Sequence, residues 1–472
     1  MLGFEPDRKV CSIPRCRIPS AHSIIVPDYP DSVSSQSWWP APHSGHAIDS
    51  RVSVPGSKSL TNRALILAAL SDGPSAIYGA LRSRDTELMS TALHTLGVGI
   101  VQRPSSVSGV DLEVTPHFLD AADGTTIDVG LAGTVMRFLP PVAGLTQGSV
   151  MFDGDPAARR RPMATLIEAM RDIGIDVDDG GNGRLPFLVR GRGHVPGGEV
   201  VLDASRSSQF VTALLLSAAR FEAGATIHHV GQSLPSTPHI DMTIRMLAQH
   251  GVKVRAVDDP PVAGYQRSTW HVDAQDIRSR DWHIEPDVSN ALPFIAAAMV
   301  TGGRILIERW PVESLQPTAT VLDVLRAFGA GIENTPEGLL VNGPDQIAAV
   351  DVDLSDIGET APTITAICAF ASGPCTLRGI AHLRGHETDR LAALEREITS
   401  LGGSIQQTED GLEIEPSAMR GGNFHSYDDH RMATTGAIIG LRVPGVVVEN
   451  IDTTAKTLPD FAELWATTVL GG

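Results

Sequence analysis

The sequence predicts an α/β protein made of six copies of one structural unit, grouped as two pseudo-symmetric domains of three units each. Three observations carry this expectation: one order of elements recurs, the copies are nearly evenly spaced, and the composition suits packed helices and short strands. Of 472 residues, 42% are hydrophobic, only 5% are aromatic and 46 are glycine. That balance fits a turn-rich α/β enzyme better than a binding module built on aromatic anchors. At roughly 100 to 200 residues per domain, the length allows two to four domains.

Each copy opens on a polar cluster and continues as a helix of small apolar residues, a glycine turn and a β-branched strand. A polar loop, a longer amphipathic helix and another strand complete it. The first copy is SKSLTNRALILAALSDGPSAIYGALRSRDTELMSTALHTLGVGI, and the others open at AGTVMRFLPPVAGL, SSQFVTALLLSAA, SNALPFIAAAMVTGG, TAPTITAICAFASG and HRMATTGAIIGL. Lys58, Gly133, Ser207, Asn290, Thr360 and Arg431 mark them, at spacings of 75, 74, 83, 70 and 71 residues. Such spacings exceed the roughly 20 to 50-residue periods of solenoids. In five copies the longer helix runs into a glycine, in LGVGI, IGIDV, HGVKV, FGAGI and LGGSI, where a left-handed residue can end a helix. Residues 1–45 are Pro- and Ser-rich without periodicity and are expected to be a disordered tail or extension.

With 37 Lys+Arg against 55 Asp+Glu the formal charge is −18, which disfavours nucleic acid as a partner. No apolar run reaches the roughly 18 residues of a membrane span, and no apolar signal core precedes a cleavage site. Four cysteines, Cys11, Cys16, Cys368 and Cys375, are too sparse for a disulfide framework and point to a reducing, cytoplasmic setting. Cys368 lies in an apolar run and reads as core. The informative cations are Lys58, Arg63, Arg137, Arg161, Arg390, Arg431 and Lys456, which cluster at predicted helix starts. Helix N-termini favour anions, so the pattern describes a cleft for small polyanions.

The individual motifs are weak. VPGSKSLTNRAL lacks the GxxxxGK[ST] spacing of a nucleotide-binding loop, although its serines and lysine could still face an anion. GHETDR has Arg390 where a zinc HExxH needs a second histidine, so no metal is expected. Its three-residue gap puts Glu387 beside Arg390 on one helix face.

Together the segments are similar to 5-enolpyruvylshikimate-3-phosphate synthases, in the enolpyruvyl transferase family. Eight blocks match in order: VPGSKSLTNRAL, SRDTELM, LAGTVMRF, DGDPAARRRP, SSQFVTALL, RGHETDRL, DDHRMA and TAKTLPDF. The resemblance implies an inside-out α/β barrel of βαβαββ units, with residues 46–56 plus 285–472 as one domain, 57–284 as the other, and the active site in the cleft between them. It implies transfer of the enolpyruvyl group of phosphoenolpyruvate to the 5-hydroxyl of shikimate 3-phosphate, by a glyphosate-sensitive monomer without cofactor or metal. Lys58, Ser59, Arg63, Ser207, Ser208, Gln209, Ser236 and His386 would hold shikimate 3-phosphate. Lys58, Gly133, Arg161, Gln209, Arg390, Arg431 and Lys456 would hold phosphoenolpyruvate. Lys58, Glu359 and Glu387 would be catalytic, with Glu359 also contacting shikimate 3-phosphate, accepting the 5-hydroxyl proton where the family usually has Asp, and Glu387 serving the methylene. His386 stands where many members have Lys, and shikimate 3-phosphate affinity is expected to fall between pH 6 and 8 as it titrates. The alternatives are the sister transferase acting on UDP-N-acetylglucosamine, whose loop cysteine has no counterpart here, and a non-catalytic anion-binding relative, which would not need Glu359, Glu387, Asp85 and Asp429.

Overall fold

The computed structural model describes residues 37–471 apart from 107–108, 123, 233 and 263–264; Cys11, Cys16 and most of the expected tail lie outside them. The six sequence copies become six units. Each contributes an inner helix: Lys58–Ala69, Gly133–Ala143, Gln209–Ala218, Val288–Thr301, Ala361–Cys368 and His430–Arg442. These helices are buried along almost their whole length, and the exceptions sit at their ends. A helix without a polar face has no other stable place. Each unit also carries an outer helix: Arg84–Thr95, Ala164–Asp172, Thr237–Gln249, Thr318–Ala327, Arg390–Ser400 and Phe461–Leu470.

The predicted helix stops are in place. Gly97, Gly174, Gly251, Gly329 and Gly402 have φ of 97, 90, 83, 102 and 90°, a region that costs glycine little. After each, the next N–H reaches back to the last turn, as from Val98 to the Leu93 carbonyl at 3.0 Å and from Gly403 to Ile398 at 2.8 Å.

Among the described residues six small sheets cover the helices, five of four strands and one of three. Two strands are exchanged along the chain: Asp49–Val52 runs parallel to Arg304–Glu308, and Trp282–His283 parallel to Ser75–Ala80. Two hydrophobic cores result, one gathering Leu60 through Ile284, the other Ile48, Val52 and Val54 with Val288 through Val469. The chain crosses between them twice, and the crossings are bonded together. Ser57 N–H donates to the Glu285 carbonyl at 2.8 Å and Asp287 N–H to Pro55 at 3.0 Å. The Asp287 carboxylate then caps two helices at once, accepting from the N–H groups of Ser289 and Asn290 on one side and of Lys58 on the other.

The expected tail is too long at its C-terminal end. Trp38–Pro40 pairs antiparallel with Val447–Glu449 and completes the three-stranded sheet, because the Trp-Trp-Pro edge finds a strand that sequence proximity could not reveal. Cys368 and Cys375 are free and buried, Cys368 as expected of a core residue. Among the described residues no helix is long and apolar enough to cross a membrane.

Candidate active site

All six inner helices aim their N-termini at one cleft between the two cores. Three adjoining cavities of about 640, 450 and 400 Å³ share Ser59 and Glu359. Their lining draws on Ser57–Ser59, Gly133–Thr134, Ser207–Gln209, Val288–Ser289, Glu359–Thr360 and His430–Arg431, one helix start from every unit. Six helix N-termini converging on one space make it favourable to anions before any side chain is counted.

The wall from the first three units is cationic with little compensation. Arg63, 2% exposed, donates from Nε to Thr243 Oγ1 at 2.8 Å and from its other nitrogens to the carbonyls of Ser59 and His239. Burial lowers its pKa to about 10, so the cation persists at neutral pH. Arg137 donates to Gln209 Oε1 at 2.7 Å and Ser207 Oγ at 3.3 Å. Burial first, then the neighbouring charge of Arg161, pulls its pKa well down. The buried Nε atoms of Arg137 and Arg161 have no hydrogen-bond partner, and among the described residues Arg63, Arg137 and Arg161 form no ion pair. Such groups are costly to leave unanswered. Lys58 is the exception, paired to the buried Asp85 at 3.1 Å. A Cβ on Gly133 would stand 3.1 and 3.2 Å from the terminal nitrogens of Arg161 and 3.3 Å from Gln209 Oε1, so glycine leaves both polar ends free to face the cavity.

The opposite wall balances its charges. Arg390, 2% exposed, holds Asp429 through two bonds of 2.8 and 3.2 Å and Glu387 at 3.0 Å. Lys456 pairs with the other oxygen of Glu387. Arg431 donates to the Ser289 carbonyl at 2.9 Å and lies 3.8 Å from Glu359. Burial alone would raise the Glu387 pKa, but Lys456, Arg390 and Arg161 together hold it well below the usual carboxylate range. For Glu359 burial is likewise outweighed, by His239, Arg431 and Lys58, and its pKa falls to about 2.

Every residue assigned from the sequence to a substrate or to catalysis lines this cleft except Lys456, which reaches it through Glu387, while Asp85 and Asp429 stand behind the lining. Ser236 takes a left-handed φ of 54° to enter it, and its N–H bridges to the Ser355 carbonyl of the other core at 2.9 Å. One expectation is corrected: Glu387 precedes the helix Arg390–Ser400 and shares no helix face with Arg390, meeting it at 3.0 Å from the preceding loop. Burial, then Arg390, pushes the His386 pKa well down. His382, 5.8 Å away ring to ring, is depressed to about 4, chiefly by burial.

Sequence reasoning counted Arg137 among the cleft's cations without assigning it to a substrate, and gave no role to Thr134, Arg206, His239, His382 or His430, all of which line the cleft. A signal existed for Arg137, one helical turn beyond Gly133 on the same face. None existed for His239 or His382, whose neighbours are distant in sequence.

The family model for EPSP synthase (3-phosphoshikimate 1-carboxyvinyltransferase) matches residues 42–465. The chain belongs to the EPSP synthase family. A protein of Kocuria rhizophila named 3-phosphoshikimate 1-carboxyvinyltransferase is 51% identical over 433 residues, covering 91% of this chain and 96% of that one. Two solved EPSP synthase structures from Acinetobacter baumannii share the family fold at 24 and 23% identity, with TM-scores of 0.75 and 0.73, each over 92% of this chain and 99 and 98% of theirs.

Proposed function

We propose that this chain transfers the enolpyruvyl group of phosphoenolpyruvate to the 5-hydroxyl of shikimate 3-phosphate and releases phosphate. The observation that carries this reading is the meeting of uncompensated buried arginines with two carboxylates held far below their ordinary pKa in one cleft. Each phosphate brings about −1.5 to −2 and each carboxylate −1, so the two substrates carry about −5 to −6. Among the described residues eight cations line the cleft or reach it, Arg206 with the seven named from the sequence, and Asp85, Glu359, Glu387 and Asp429 offset four of them, so a net positive charge remains for the substrates to meet.

Shikimate 3-phosphate occupies the cavity of Arg63, Ser207, Ser208 and Ser236, and phosphoenolpyruvate that of Gly133, Arg161, Arg390 and Arg431, with Lys58 between. Glu359 takes the proton of the 5-hydroxyl as its oxygen bonds to C2 of phosphoenolpyruvate, while Glu387 delivers a proton to C3. Loss of a C3 proton then restores the double bond as the C2–O bond to phosphate breaks. Glu387 is deprotonated in the free protein. Once phosphoenolpyruvate shares Lys456, Arg390 and Arg161, less positive charge remains to hold its proton off, and its pKa rises toward the working range of a general acid.

The two core-bearing segments, 46–56 plus 285–472 and 57–284, are read as domains that close over the substrates and exclude water. All the groups needed come from one chain, which suits a monomer, and two free buried cysteines suit a reducing cytoplasm. The test is phosphate release from phosphoenolpyruvate with shikimate 3-phosphate as acceptor. Turnover with that acceptor supports the reading; no release, or release only with UDP-N-acetylglucosamine, overturns it.

A further inference from the structure

The segment that delivers Arg431 to the cleft is held from behind by a carboxylate outside the cleft lining. Glu397 lies two turns beyond Arg390 on the outer helix Arg390–Ser400, with a side chain 2% exposed. Its Oε2 accepts the backbone N–H of His425 at 2.9 Å and lies 3.1 Å from His425 Nδ1, while Oε1 accepts the Tyr427 hydroxyl at 2.5 Å. A carboxylate is buried at tolerable cost only when its lone pairs are engaged, and all these partners come from one short segment. Burial, then the bond to Glu397, pushes the Tyr427 phenol up to about 12, so the hydroxyl stays a donor.

The segment so held has an unusual backbone. Tyr427 and Asp428 both have φ of 55°, a left-handed pair that residues with side chains seldom adopt. It is kept in place by its surroundings. Asn450 Nδ2 donates to Asp428 Oδ1 at 2.8 Å, Thr453 Oγ1 donates to the Asp428 carbonyl at 2.8 Å, and Trp38 packs edge-on against His425 with centroids 5.3 Å apart. Directly after this turn, Asp429 accepts the Arg431 N–H at 2.9 Å and chelates Arg390. One helix therefore grips the segment twice, through Arg390 at the cleft and through Glu397 behind it.

We infer that Glu397 is a positioning residue: by holding His425 and Tyr427 against the helix Arg390–Ser400, it fixes the left-handed turn that aims Asp429 at Arg390 and Arg431 into the cleft. The kinetic consequence rests on the proposed reaction, whereas the placement of the two arginines does not. The experiment compares Glu397→Gln, Glu397→Ala and Tyr427→Phe with the unaltered protein by steady-state kinetics and by NMR of the arginine Nε–H groups without substrate. Misplacing a binding group by about 1 Å can cost about a hundredfold. Glu397→Gln, which keeps the shape, should raise KM for phosphoenolpyruvate about tenfold, with KM for shikimate 3-phosphate changed less than about twofold. Tyr427→Phe should do so to a smaller extent, and the Nε–H signals of Arg390 and Arg431 should shift in both. Unmoved arginine signals, or equal rises in both KM values accompanied only by a lower melting temperature, would overturn the inference. If Glu397→Ala does not fold, the two milder variants still decide. If the unaltered protein turns over no substrate, the proposed reaction fails while the arginine signals continue to test the positioning.

Discussion

The two walls of the cleft carry similar numbers of cations and treat them differently. On the wall of the first three units, Lys58 meets one buried carboxylate, Asp85, while among the described residues Arg63, Arg137 and Arg161 form no ion pair. On the wall of the last three, Arg390, Arg431 and Lys456 face Glu359, Glu387 and Asp429. The first wall lacks anions and is completed by a ligand. The second is balanced already, so an arriving anion must share its cations, and sharing shifts the protons on its carboxylates. One wall is suited to holding charge and the other to moving protons.

The largest test of this contrast is Glu387→Gln. Losing a positioned acid–base group costs about 10² to 10⁴ in rate, so kcat should fall by that order. Binding of phosphoenolpyruvate should hold or tighten, because Lys456 and Arg390 lose a competitor. Phosphate-release kinetics beside calorimetric binding would check this, and a parallel loss of both would contradict the division. On the other wall, Arg161→Ala removes hydrogen bonds to a charged ligand worth about 1.5 to 3 kcal/mol each. KM for phosphoenolpyruvate should therefore rise about 10 to 100-fold, with a smaller change in kcat.

Proton uptake gives a test that needs no mutation. If phosphoenolpyruvate takes over part of the cationic field around Glu387, binding at neutral pH should absorb protons. Calorimetry in buffers of different ionisation heat would show it, and buffer-independent heats would remove the argument.

The free protein should also respond to acid through one wall. Glu359, at about 2, and Glu387, held well below the usual range, both titrate lower in the fold than the roughly 4.3 of an unfolded Glu. Their contribution to stability is complete above that unfolded value and is lost as pH falls toward the folded ones. His382, at about 4 against roughly 6.5 unfolded, acts in the same direction from higher pH, since the unfolded chain takes up its proton first. The melting temperature should drop between pH 5 and pH 3 by roughly several degrees, and Glu359→Gln should flatten the drop while Arg137→Ala should not.

The smallest effect is expected at Gly133. The atoms an added Cβ would meet are the far ends of the Arg161 and Gln209 side chains, at 3.1 to 3.3 Å. Gly133→Ala needs only a few tenths of an ångström of adjustment, so KM for phosphoenolpyruvate should rise only about twofold to fivefold. Glyphosate inhibition should weaken more than catalysis, and equal losses would show that the glycine is not the boundary of that space.

What the sequence determined by itself is local or repeated. Six polar-capped apolar stretches had to be buried helices, five glycines had to end the outer ones, and cations at helix starts had to face anions. These follow from periodicity and backbone geometry, which neighbours in the chain dictate. Residues Trp38–Pro40 show the limit, since a short strand is recognisable only when its partner at Val447–Glu449 is known. The tertiary structure alone decided which charges are answered. Arg390 meets Asp429, Lys456 meets Glu387, and Arg137 meets Gln209 across long stretches of chain, while burial beside Arg390 disfavours a charge on His386. Coulomb energy and desolvation depend on distance and depth in space, and neither can be read from the order of residues.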